Sequence, residues 1–126
     1  MKKNIALVLS AVFALAIVVT AHSQEDMTHV GNDVFPDPQR SRAVFAHEDH
    51  NLAAEIDDCS ECHHVYEDGE KLEYESSEDM RCADCHELAS VGDQPSLRKA
   101  FHVNCMGCHQ QRKKGPIMCG ECHPKS

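Results

Sequence analysis

The sequence predicts a small, mainly α and irregular domain, with short helices and one small hairpin, whose interior is not built from side chains. Three observations predict it. Large apolar residues are scarce beyond the N-terminal segment, with no Trp and only Phe35, Phe45, Phe101, Tyr66 and Tyr74 as aromatics. All eight cysteines fall into copies of one short motif. The rest of the 126 residues lacks the apolar periodicity of helices that pack on one another. A domain of about 100 residues with so thin a core needs disulfides, metal or a large apolar cofactor to cohere.

The elements follow in order along the chain. Met1, Lys2 and Lys3 precede a run from Ile5 to Val19 that is apolar apart from Ser10, and Ala21-His22-Ser23 offers small residues at a cleavage site. That run is short of the roughly 20 residues that span a bilayer, so residues 1–23 read as a cleaved signal peptide and residues 24–126 as one exported domain. Pro36 and Pro38 predict extended backbone over residues 24–42. A short helix is expected from Ala43 to Glu55. The turn signal Asp68-Gly69 within Tyr66 to Tyr74 predicts a hairpin. Pro95 suits the first turn of a longer helix running to about Gln111, before Gly115-Pro116 stops it.

The cysteine motif decides what fills the interior. "CSECH" at 59–63, "CADCH" at 82–86, "CMGCH" at 105–109 and "CGECH" at 119–123 are four copies of CxxCH. With 10 His in 126 residues, a histidine after every pair by chance has a probability of roughly 4 in 100,000. Two tetrahedral zinc sites or four disulfides explain the cysteines and leave the histidines idle. Covalent attachment of a c-type haem uses every residue of the motif. Two sulfurs about one helical turn apart, at Cys59 and Cys62, Cys82 and Cys85, Cys105 and Cys108, and Cys119 and Cys122, each form a thioether to a porphyrin vinyl group. The following His63, His86, His109 and His123 become the proximal iron ligands. Four haem c groups then make up the apolar interior.

Five further histidines, His29, His47, His50, His64 and His102, face four open axial positions. Met27, Met80, Met106 and Met118 compete less well, since Met106 lies inside a motif and Met118 abuts one. The two ligands of one iron approach from opposite faces of the ring, so His64 cannot share a haem with its neighbour His63. His47 and His50 project from one side of a short helix and serve separate haems. His102 lies seven residues before His109, about 10.5 Å along the same helix face, and therefore reaches a haem other than the third. His29, alone in the N-terminal stretch, is expected to face solvent.

Beyond the leader, 21 acidic residues stand against 10 basic ones, a formal charge of −11. A basic nucleic-acid surface is excluded, and partners with positive patches are favoured. Thirteen of the acids lie between Glu55 and Glu87. Arg98, Lys99, Arg112, Lys113, Lys114 and Lys125 follow with Glu121 alone against them. A bipolar molecule is expected.

With these features the chain resembles the class III cytochromes c, the tetrahaem cytochrome c3 family of sulfate-reducing bacteria, over residues 24–126. The resemblance is carried by the four attachment motifs, by Phe45-x-His47-x-x-His50 ahead of the first, and by the doubled His63-His64. It implies a cytochrome c3-like fold around four covalent haems, with His47 as distal ligand of the first, His64 of the second, His50 of the third and His102 of the fourth. Many family members carry a longer CxxxxCH at the second and fourth sites and a basic surface. This acidic chain, with CxxCH throughout, is similar to the type II branch. That branch passes electrons between a basic type I cytochrome c3 and a membrane redox complex. The resemblance therefore implies a periplasmic electron carrier of sulfate-respiration-type anaerobic metabolism that transforms no small-molecule substrate. Its implied partners are a basic type I tetrahaem cytochrome, a hydrogenase and a membrane-associated redox complex. The family's lysine-ringed face near the fourth haem would have a smaller version here in Lys113, Lys114 and Lys125. The main alternative is a multihaem reductase with one open iron, and a metal- or haem-storage role ranks third.

Overall fold

The computed structural model describes residues 27–125, and the predicted leader at residues 1–23 lies outside the described residues. The chain enters as an extended segment held by backbone pairing. Val30 N–H donates to Ala43 O and Phe45 N–H to Thr28 O, both at 2.9 Å, and His29 forms an isolated bridge with Val44. Val44 N–H donates to Cys122 O at 2.9 Å, tying this segment to the fourth motif. His29 is consequently half-buried, with Nδ1 2.9 Å from Thr28 Oγ1 in an exposed contact.

The same pairing delays the first helix. Val44 and Phe45 are committed to extended partners, so α1 spans His47–Ala54 and does not begin at Ala43 as expected. It ends with Glu55 in the left-handed region at φ 54°. Glu55 N–H donates to Leu52 O and Ile56 N–H to Asn51 O, the paired bonds of a Schellman motif.

Cys59–Glu61 form a single 3₁₀ turn, whose Ser60 N–H is accepted by Asp58 Oδ1 at 2.9 Å. The hairpin follows: β1, His64–Glu67, pairs antiparallel with β2, Glu70–Ser76. Asp68 and Gly69 at its tip both have positive φ, 50° and 86°, the backbone twist that matches a two-residue hairpin loop. A register irregularity lies between His64 and Tyr66.

Two of the remaining helices are single turns made of one motif each: α2, Cys82–Cys85, and α4, Cys119–Cys122. Between them α3 runs over Leu97–Arg112 and contains the third motif. It too ends in a Schellman motif on a non-glycine residue, Lys113 at φ 53°, with Lys113 N–H to Gln110 O and Lys114 N–H to His109 O. A left-handed L-residue costs about 1–2 kcal/mol, so both helix ends are held by something besides propensity.

Among the described residues Leu97 is the one buried apolar side chain, 1% exposed, while Leu52 and Val103 stand 81% and 60% exposed. The predicted thin core is present. Among the described residues no helix is long and apolar enough to cross a membrane.

Candidate functional site

Each CxxCH closes one helical turn on itself. His63, His86 and His123 N–H donate to the carbonyls of Cys59, Cys82 and Cys119 at 2.8 to 2.9 Å, and the third motif sits inside α3. The variable positions carry part of the job. In α2, Asp84 Oδ2 accepts the Arg81 N–H at 2.7 Å; in α4, Glu121 Oε2 accepts the N–H groups of Met118 at 2.7 Å and Ile117 at 3.1 Å. These acids satisfy donors that a free-standing turn leaves orphaned. The third motif starts inside a long helix, needs no such acceptor, and has Gly107 at the equivalent position. A further tie, Arg81 to Asp33 at 2.7 Å, fixes the second motif to the entering segment and lowers the Asp33 carboxyl through that hydrogen bond.

None of the eight cysteines is joined to another in a disulfide. Among the described residues no group of three or more His, Cys, Asp or Glu converges on a point, the arrangement that tetrahedral zinc requires. Cys62 and Cys105 are exposed and Cys82 is half-buried, each partly covered by neighbouring protein. Desolvation raises the Cys62 and Cys82 thiols and pushes Cys105 up to about 11, with Cys62 and Cys82 themselves adding to the effect at Cys105. Sulfurs of three different motifs thus lie near one another.

The histidines gather in twos. Ring centroids of His47 and His63 are 6.4 Å apart, His64 and His86 6.1 Å, His50 and His109 6.1 Å, and His102 and His123 6.4 Å. Each of the eight belongs to one pair, and His29 belongs to none of them. Two imidazoles on opposite sides of one metal need this separation: a bond of about 2 Å plus roughly 1 Å from nitrogen to ring centre, counted twice, gives about 6 Å. The donor set and its spacing fit a six-coordinate haem iron.

Backbone carbonyls aim three of the four motif rings. His86 Nδ1 lies 3.0 Å from Pro95 O, His109 Nδ1 2.6 Å from Pro116 O, and His123 Nδ1 2.6 Å from Ser41 O. A carbonyl only accepts, so Nδ1 carries the proton and the Nε2 lone pair is left available to a metal. Among the rings outside the motifs, His47 Nδ1 is 3.1 Å from Glu48 Oε1. Burial, followed by the nearby His86, lowers the His64 pKa and so favours the neutral form that binds metal. Phe45 lies between two of these rings, its own ring 6.0 Å from His47 and 4.9 Å from His50.

Several residues that set this geometry carry no motif signal. Ser77 pins the doubled histidine: its N–H donates to His63 O at 2.9 Å and its Oγ to His64 O at 3.2 Å. Gly115, at φ 99°, passes so close to the His109 ring that an added Cβ would meet Cδ2 at 2.5 Å. Asn104 Nδ2 donates to Cys62 O at 3.2 Å and joins the first motif to the third.

The model of the class III cytochrome c family matches residues 20–123. The chain belongs to that family. This class III cytochrome is therefore a multihaem electron-transfer protein that binds haem c covalently, with a small cytochrome c3-like fold of short helices and one two-stranded hairpin. Class III cytochromes are electron carriers, and redox proteins are their partners. A solved structure, described as "A key amino acid in the control of different functional behavior within the triheme cytochrome family from Geobacter sulfurreducens", is 28% identical to this class III cytochrome. The alignment covers 71% of this chain and 92% of that one, with a TM-score of 0.37. Comparison with curated proteins gives no match.

Proposed function

We propose that this cytochrome is a periplasmic carrier holding four haems c, each with two histidine ligands. It would exchange electrons between a basic tetrahaem cytochrome or a hydrogenase and a membrane redox complex. The carrying observation is the set of four ring pairs at 6.1 to 6.4 Å. Cys59 and Cys62 with His63 and His47 would hold the first haem, and Cys82 and Cys85 with His86 and His64 the second. Cys105 and Cys108 with His109 and His50 would hold the third, and Cys119 and Cys122 with His123 and His102 the fourth. Bound haem supplies a one-electron iron couple. The chain's part is to fix ring orientation through Pro95, Pro116 and Ser41 carbonyls and to hold the sites close together. His63 and His64, one peptide bond apart, join the first site to the second, and α1 joins the first to the third. A reductase needs an iron with an open position, whereas eight rings here form four complete pairs.

The docking face proposed is the hairpin. Its side chains are mostly exposed, Tyr74 at 96%, and Glu67 stands directly across from Glu70. Like charges in that register weaken a hairpin, and a basic partner would relieve them. Combined Glu70→Gln, Glu73→Gln and Glu75→Gln substitution is expected to slow electron exchange with a basic cytochrome and flatten its salt dependence, as screening acts over about 10 Å at 0.1 M salt. Parental rates across a salt series would rule out this face, and the basic C-terminal segment would replace it.

A further inference from the structure

Helix α1 carries His47 and His50, one ligand for each of two haem sites, but it is short and ends without a basic residue in its last turn. A helix leaves its last four carbonyls without intrahelical partners. In α1 these belong to Asn51, Leu52, Ala53 and Ala54. Asn51 O and Leu52 O accept the Schellman bonds from Ile56 and Glu55. Ala53 O accepts from Lys114 Nζ at 3.0 Å, and Ala54 O from Arg112 Nη1 at 2.7 Å. All four acceptors are thus satisfied, two of them by cations 58 and 61 residues away in sequence.

Those cations also oppose the negative end of the helix dipole, and their own location matters. Arg112 is the last residue of α3, three residues beyond His109, and Lys114 precedes Gly115 and Pro116, which fix the His109 ring. The bonds therefore join the helix bearing His50 to the end of the helix bearing His109. That is the pair of rings found 6.1 Å apart. We infer that Arg112 and Lys114 are positioning residues: they clamp the C-terminus of α1 against the end of α3 and thereby set the distal ligation of the third haem, and of the first through His47. Two of the basic residues that the sequence offers for docking are then engaged within the molecule. This inference rests on the ligand pairs proposed above.

The test is the haem-loaded Arg112→Gln/Lys114→Gln protein beside the parent and the conservative Arg112→Lys/Lys114→Arg protein, with intact mass used to confirm equal haem content. Backbone amide exchange is measured over residues 50–56, and carbon monoxide association on the reduced proteins. The expected result is faster exchange in that segment. Carbon monoxide association should be at least about tenfold faster, the effect of a single charge-assisted hydrogen bond where the variant loses two, at no more than two of the irons. The conservative variant should stay close to parent. Parental amide exchange in the Gln variant overturns the clamp, and faster exchange with parental carbon monoxide kinetics overturns its role in ligation. If the parent itself takes up carbon monoxide rapidly, the two-histidine reading fails, while amide exchange still decides whether the clamp exists.

Discussion

Exchange of His64 for methionine is expected to raise one reduction potential by on the order of a hundred millivolts, within the ~0.8 V that axial ligands span, and to leave all haems attached. The direction follows from ligand chemistry, since a thioether opposite histidine raises the potential. Its confinement to one haem follows from geometry. His64 faces His86, 6.1 Å between ring centres, while its neighbour His63 faces His47. The backbone that separates them is held on both carbonyls by Ser77, so the exchange alters a ligand without moving the peptide. Potentiometric titration followed in the visible region reads the result. An unchanged set of potentials would refute the assignment of His64 to the second haem.

Gly115→Ala is expected to damage the third site as severely as loss of a ligand. The added Cβ would fall 2.5 to 2.8 Å from Cδ2, Cγ and Nε2 of His109, closer than real contacts allow. The backbone at φ 99° adds strain of about 1–3 kcal/mol for a non-glycine residue. The ring must turn away and give up its bond to Pro116 O. The reduced variant should bind carbon monoxide rapidly at a single iron and unfold at lower temperature. Gly107→Ala is the control: it lies within α3 and an added Cβ there meets nothing within 4 Å. It should gain about 0.5–1 kcal/mol of stability and leave every iron closed. A Gly115→Ala protein with parental spectrum and no carbon monoxide uptake would show that His109 is not held in this way.

The contrast between these two sites marks what a sequence of this kind discloses. The attachment turns, the hairpin at Asp68-Gly69 and the long helix after Pro95 are legible because each is written in adjacent residues. Adjacency also shows that His63 and His64 must diverge. The start of α1 is less legible, because Ala43 to Phe45 have helical neighbours in sequence but extended partners in space, at Thr28, Val30 and Cys122. The supports of the site were hidden for the same reason. Gly115 looks like a helix stop and is also the floor beneath an imidazole. Arg112 and Lys114 look like part of a docking patch and instead bond to Ala54 and Ala53. Asp84 and Glu121 occupy variable motif positions, and their capping role depends on whether the motif begins its own turn.

The central claim is that four CxxCH turns and four further histidines close four haem irons completely. Intact mass and visible spectroscopy of the purified protein, with carbon monoxide added to its reduced form, test it in one sample. The account predicts four covalently attached haems, all low-spin, and no rapid carbon monoxide binding. Fewer than four attached haems, or rapid uptake at a substantial fraction of the irons, would contradict it.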